Sequence, residues 1–225
     1  MPHAVDHHSI RHRYAPSRGG LLHVFDRLDP ARTAHVVIDM QNGFIEEGSP
    51  VEVLEARGVV DNINCISRAL REAGGRNYFV RYTTPADIDD RWPVMLARLA
   101  SGAGTHRDAF TPGAHFWQLW PGLEVAEGDR IMDKGRFSAF TPGTCDLHDQ
   151  LQADGMDTLI ISGTLTNICC ESTARDAMQL NYRVIMAADA CAALDDAAHA
   201  AALASLNLVF ADIRSTEEIE QLLAA

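Results

Sequence analysis

From residue 31 onward, short apolar runs alternate with stretches of helical spacing. Ala34–Ile38 reads as a buried strand that ends at Asp39. Val59–Ala73 has helical periodicity and stops at Gly74-Gly75, a pair that ends helices because glycine adopts left-handed backbone freely. Tyr78–Tyr82 is a second strand, and Arg130–Asp133 a short third one ending at Lys134. Helix Asp146–Ala153, strand Thr158–Ser162, helix Ile168–Leu180 and strand Arg183–Ala187 follow. Helix Asp195–Leu206, strand Leu208–Ala211 and helix Thr216–Leu223 complete the pattern. Short strands separated by helices require crossover connections, hence a parallel sheet, and near-continuous apolar strands are those covered on both faces. The expectation is a three-layer α/β/α fold with a mainly parallel, Rossmann-like sheet of about six strands. The gap in the alternation, Thr83–Asp129, is predicted to hold one short helix, Pro93–Ala100, then an irregular stretch with Phe110, Phe116, Trp117 and Trp120. Long irregular segments of this kind commonly form lids or contact surfaces.

The length of 225 residues and a hydrophobic content of 47% suit one such domain. We divide the chain into an N-terminal extension, residues 1–30, and a domain, residues 31–225. The net charge of -12 repels phosphate backbones and anionic lipid, which argues against nucleic-acid and membrane partners. No apolar run approaches the roughly 20 residues of a membrane helix. Met1–Arg18 is rich in His and Arg and lacks the apolar core of a signal peptide. A cytoplasmic location is the expectation. Cys65, Cys145, Cys169, Cys170 and Cys191 form an odd, scattered set, which reads as free thiols. His3, His7, His8, His12 and His23 crowd the N-terminus without a ligand spacing, so a solvated arm is favoured over a metal site.

Ligands of open α/β sheets bind beyond the carboxyl ends of the strands. Asp39, Lys134 and the loop Gly163–Asn167, which leads into Cys169, all fall on that edge. Within the following helix, Cys170, Ala174, Ala177 and Met178 make an apolar stripe, whereas Cys169 aligns with Ser172, Thr173 and Asp176. Cys170 is therefore assigned to the core. Cys169 falls in the first helical turn, with Thr166 or Asn167 available as N-cap, where unpaired N–H groups and the helix dipole favour a thiolate. Position alone leaves open that both thiols are inert small hydrophobes.

Three blocks resemble the isochorismatase-like cysteine hydrolases. They are Val36–Phe44 (VVIDMQNGF), Asp133–Phe140 (DKGRFSAF) and Gly163–Ala177 (GTLTNICCESTARDA). The resemblance runs from about Ala31 to the C-terminus and implies a catalytic triad of Asp39, Lys134 and Cys169. It further implies a cis peptide at Thr164–Leu165, an oxyanion hole from the N–H groups of Leu165 and Cys169, and a homodimer or homotetramer. A cysteine separates this chain from the vinyl-ether-cleaving isochorismatases and groups it with amidohydrolases. Nicotinamidases of the family carry an Asp-x-His metal motif that Thr83–Asp90 lacks, so no metal and no cofactor are expected. The Thr166-Asn167 pair before the cysteine and the Glu171–Ala177 run after it are most similar to the ureidoacrylate and N-carbamoyl amidohydrolases. The implied reaction is cleavage of an amide or ureido C–N bond of a small molecule through a thioester. Gln41, Phe44, Arg136, Phe137 and Trp117 are the candidate substrate contacts. The alternatives are hydrolysis of an ester or a vinyl ether, and a non-catalytic or thiol-redox protein on the same fold. Adjacent helical cysteines point apart, which weakens a redox pair.

Overall fold

The computed structural model describes residues 3–225, the side chain of Ala103 excepted. The apolar runs pair into one sheet of six strands: β1 (Thr33–Ile38), β2 (Arg76–Tyr82), β3 (Arg130–Lys134), β4 (Thr158–Thr164), β5 (Arg183–Ala192) and β6 (Asp212–Arg214). Their order is β3-β2-β1-β4-β5-β6 and every pairing is parallel. The chain adds strands to one side of β1 and then returns to add the rest on the other. The switch point therefore lies between β1 and β4, where Ile38 stands opposite Gly163. Gly163 has φ +109°, and a Cβ there would sit 2.1 Å from the Ile38 carbonyl oxygen. Only glycine lets the two strand ends approach this closely.

The helices are α1 (His7–Tyr14), α2 (Asn42–Ile45), α3 (Val60–Glu72), α4 (Ile88–Arg91), α5 (Pro93–Leu99), α6 (Ala103–Ala109), α7 (Leu147–Ala153), α8 (Glu171–Gln179), α9 (Asp196–Val209) and α10 (Thr216–Leu223). Alternation along β1 sends Ala34, Val36 and Ile38 into a layer with Leu147, Leu151, Ala174, Leu203 and Leu206. Val37 faces the opposite layer, with Ile63, Ile66, Leu70 and Ile219. Thus α7, α8 and α9 cover one face of the sheet, and α3 and α10 the other. Each fully buried Leu or Ile stabilises the fold by about 1.5–3 kcal/mol, so this two-sided burial holds the sheet edge that carries the site. No helix among the described residues is long and apolar enough to cross a membrane.

Several expectations are corrected. Leu208–Ala211 is not a strand: α9 continues to Val209, with the Phe210 N–H bonded to the Leu206 carbonyl. Leu208 and Val209 are exposed, and the sixth strand is formed by Asp212–Arg214 around the buried Ile213. Apolar character there marked a helix end at the surface. The irregular segment holds α4 and α6 besides the predicted α5. The N-terminal arm is not a solvated tail. Asp6 caps α1, the Asn207 amide donates to the Ile10 carbonyl, and Arg11 pairs with Glu218. His3 stacks on His199 and accepts from the Ala193 N–H at 2.9 Å. The arm's polar side chains find partners on α9 and α10, which water would otherwise have to supply.

Candidate active site

Asp39 follows β1 with φ +53° and is fully buried. Its Oδ2 accepts from Lys134 Nζ at 2.8 Å. Lys134 is the last residue of β3, equally inaccessible, and its Nζ also donates to the Arg136 carbonyl at 3.0 Å. The other carboxylate oxygen, Asp39 Oδ1, is buried and makes no hydrogen bond of normal geometry. Cys169 lies beside it, near enough that Asp39 and Lys134 both bear on the ionisation of its thiol.

Cys169 is not in the first turn of an α-helix. Thr166–Cys170 form a π turn that precedes α8, and the Cys170 N–H bonds back five residues to the Leu165 carbonyl. Neither Thr166 nor Asn167 is the N-cap; Leu165 occupies that position without a side-chain bond. The Thr166 hydroxyl instead meets His199 Nδ1 at 2.9 Å. Such π turns widen the backbone and recur at functional sites. The Thr164–Leu165 peptide before the turn is cis. Both cysteines belong to one buried cluster; Cys170 turns its sulfur toward the Ser162 carbonyl, and Cys169 also borders a cavity.

Electrostatics in the resting site are governed by burial. Desolvation and then the Asp39 charge push the Cys169 thiol pKa well up, with Lys134 opposing. The resting group is a neutral thiol, so burial outweighs the thiolate-favouring helix end inferred from position. Burial also raises the Asp39 pKa against the pull of Lys134, making it a stronger base than an ordinary carboxylate. Burial opposes the Lys134 charge, yet the Asp39 carboxylate overcomes it and holds the ammonium protonated.

The cavity beside Asp39 and Cys169 has a volume of about 280 Å³. Phe44, with Val51 and Glu52 from the segment after α2, forms part of its wall. Leu99 and His106 come from the irregular segment, Phe137 from the loop after β3, and Leu165, Ile168 and Leu194 from the loops after β4 and β5. A larger cavity, about 460 Å³, lies between residues 18–25 of the arm and the ends of α8 and α9. Among the described residues no Cys, Ser, Thr, Lys or His lines it, and its Asp212 is already bonded to the Val24 and Phe25 N–H groups.

Two of the five candidate substrate contacts, Phe44 and Phe137, line the Cys169 cavity; Gln41, Arg136 and Trp117 do not. The Gln41 amide donates to the Tyr82 and Trp117 carbonyls and accepts from the Tyr82 N–H. It pins β2 and the aromatic loop to the end of β1. Arg136 stacks on Trp92 and donates to the Gly135 and Arg91 carbonyls. Trp117 donates to the Thr83 hydroxyl and lies under the Arg81 guanidinium.

A model of the isochorismatase domain matches residues 33–218. The chain belongs to the isochorismatase family. An uncharacterised isochorismatase-family protein of Bacillus subtilis is 32% identical over 85% of this chain and 94% of its own. A ureidoacrylate amidohydrolase, RutB, of Pseudomonas savastanoi is 30% identical over 85% of this chain and 84% of its own. Among solved structures, a cysteine hydrolase from Pseudomonas syringae pv. phaseolicola superposes with a TM-score of 0.80 at 26% identity, covering 88% and 94% of the two chains. The N-carbamoylsarcosine amidase of Thermoplasma acidophilum gives 0.68 at 25%, covering 83% and 97%. Together these make the chain an isochorismatase-family hydrolase with amidohydrolase relatives.

Sequence reasoning missed Tyr82, His106 and Glu52. Tyr82 ends β2, so the strand-end rule that selected Asp39 and Lys134 could have found it. Its hydroxyl is buried without a hydrogen bond of normal geometry, and burial pushes its pKa up to about 12. His106 and Glu52 carry no periodic or motif signal.

Proposed function

We propose that this isochorismatase-family hydrolase cleaves an amide or ureido C–N bond with Cys169 as nucleophile. The observation that carries the reading is the meeting of Asp39, Lys134 and Cys169 beside one cavity, with Asp39 Oδ1 left unbonded. A buried polar atom without a partner is rare and points to chemistry that supplies one.

Substrate enters with its carbonyl carbon against the Cys169 sulfur. The thiol proton passes to Asp39, and the sulfur bonds to the carbonyl carbon. Lys134 holds the Asp39 carboxylate in place and balances the negative charge of the site. The N–H groups of Leu165 and Cys169 receive the oxyanion, at about 3–4 kcal/mol of transition-state stabilisation for a well-placed donor. Asp39 returns the proton to the departing nitrogen as the C–N bond breaks. Water, deprotonated by Asp39, then attacks the thioester, and Cys169 leaves as thiolate and regains a proton. Each positioned proton transfer contributes about 10²–10⁴-fold.

The neighbouring thiols provide the test. Cys169→Ala is expected to abolish ammonia release from amide and ureide substrates, and Cys170→Ala to retain most of it. Rapid quenching with a slowly hydrolysed amide should leave an acyl mass adduct on the Cys169 peptide. Equal loss in both variants with folding intact, or an adduct elsewhere, refutes the assignment.

A further inference from the structure

We infer that the substrate of this site is an uncharged amide or ureide with a compact apolar body, and that carboxylate-bearing substrates are rejected. The inference rests on the amidohydrolase reading above and narrows it by substrate class.

No lysine or arginine is among the described residues that line the cavity beside Cys169. Lys134 stands behind Asp39, fully buried, and is already bonded to that carboxylate and to the Arg136 carbonyl. The nearby guanidinium groups are committed elsewhere. Arg136 is tied to two backbone carbonyls, Arg81 to Asp133, and Arg107 to Asp89. His106 offers no positive charge, because burial holds its pKa below the usual value.

Among the described residues, the one charged wall residue besides Asp39 is Glu52. Its carboxylate accepts from Arg57 and from the Gly48 N–H, bonds that hold its pKa down and keep it anionic. The ion pair with Arg57 balances that charge, and Glu52 offers an anion nothing to bind. The remaining wall is apolar: Phe44, Val51, Leu99, Phe137 and Ile168. A carboxylate entering here leaves water and finds no cation in the wall. An alkyl or aryl group meets walls that match it. Tyr82 also lines the cavity, its hydroxyl buried and without a hydrogen bond of normal geometry.

Two near-isosteric pairs test this through ammonia release. They are 4-methylpentanamide against succinamate, and 3-methylbutylurea against N-carbamoyl-β-alanine. The uncharged member of each is expected to show kcat/KM higher by roughly 100-fold or more, as suits a carboxylate desolvated without a partner. Turnover that depends on Cys169 but favours the carboxylates, or treats both alike, overturns the inference and leaves the amidohydrolase reading standing. If no amide is hydrolysed, that reading falls, and alkylation decides the cavity's preference separately. Iodoacetamide should modify Cys169 far faster than iodoacetate, relative to their rates with free cysteine. Equal relative rates overturn the inference.

Discussion

His35 and Asp39 lie four residues apart, one within β1 and the other at its exit, and neither reaches solvent. Both ring nitrogens of His35 are used: Nδ1 meets the Ser67 hydroxyl at 3.0 Å and Nε2 the Ser162 hydroxyl at 2.7 Å. Burial drives its pKa down to about 3, so it stays neutral. Asp39 spends one oxygen on Lys134 and keeps the other free beside Cys169. The two groups share a strand and a degree of burial, and differ in satisfaction and in access to a cavity. A buried polar group whose bonds are complete serves the fold. One left half-bonded next to a nucleophile and a void has capacity for chemistry.

The sharpest way to break this comparison is to exchange the Asp39 carboxylate for an amide. Asp39→Asn keeps the size and a bond to Lys134 but cannot take the thiol proton. The expected loss in kcat is about 10²–10⁴-fold, the range of positioned acid–base catalysis, measured where far-UV circular dichroism shows the variant folded; its melting temperature should fall, because the buried Lys134 loses its counter-charge. Full activity in this variant removes Asp39 from the mechanism.

Gln41 stands next in size, and its effect belongs to stability. Its amide makes three hydrogen bonds to backbone groups of Tyr82 and Trp117. Truncation leaves buried donors and acceptors unpaired at about 1–3 kcal/mol each. Gln41→Ala is expected to lose about 2–4 kcal/mol in denaturant unfolding, allowing for partial relaxation. At temperatures where the variant is folded, KM should move less than expected for a residue touching substrate. A variant of parental stability with a greatly raised KM restores Gln41 as a substrate contact.

These contrasts also explain what the chain made legible. Strands β1, β2, β4 and β5 were visible because buried parallel strands carry apolar runs, whereas the edge strand β3, with Ile131 exposed, showed only a short run before Lys134. The sixth was displaced because Leu208 and Val209, apolar but exposed, continue α9. Asp39 and Lys134 were visible as polar residues closing apolar runs, and the resemblance joined them to Cys169. The π turn was not visible, since an i→i−5 bond leaves no mark on a helical stripe. Trp117 looked like a ligand contact by residue type, and Arg136 by its charge and its place just after Lys134. What removed them was the local bookkeeping of donors, with backbone carbonyls and Thr83 already taking their N–H groups.

The satisfied member of the pair has its own signature in pH. A folded-state pKa of about 3, against the ordinary 6.5, means that unfolded His35 binds a proton that the folded form refuses. Its neutral burial therefore costs nothing above the unfolded pKa, and stability falls as pH drops below it. Between pH 6 and 4 the loss is about 1.4 kcal/mol per pH unit for one such group. His199, also pushed down to about 3, adds to the same slope. Urea titrations across this window should show His35→Gln with a shallower pH dependence by about one group's share. An unchanged slope means that His35 does not stay neutral in the fold.

Arg136 should give the smallest effect. It was a candidate for holding a substrate carboxylate, but its guanidinium stacks 4.5 Å from the Trp92 ring centroid and donates to two carbonyls. Losing a partly exposed stack of this kind costs about 0.5–1 kcal/mol of stability. For Arg136→Ala, kcat/KM on uncharged amides is expected within about threefold of the parent, a transition-state difference under 1 kcal/mol. The Lys134–Arg136 bond runs through the backbone carbonyl, so the truncation leaves the Asp39–Lys134 pair intact. A selective collapse of activity toward carboxylated amides alone would make Arg136 an anion-binding residue. That outcome would also contradict the uncharged substrate inferred above, because the side chain would have to leave Trp92 and swing into the Cys169 cavity to meet its ligand.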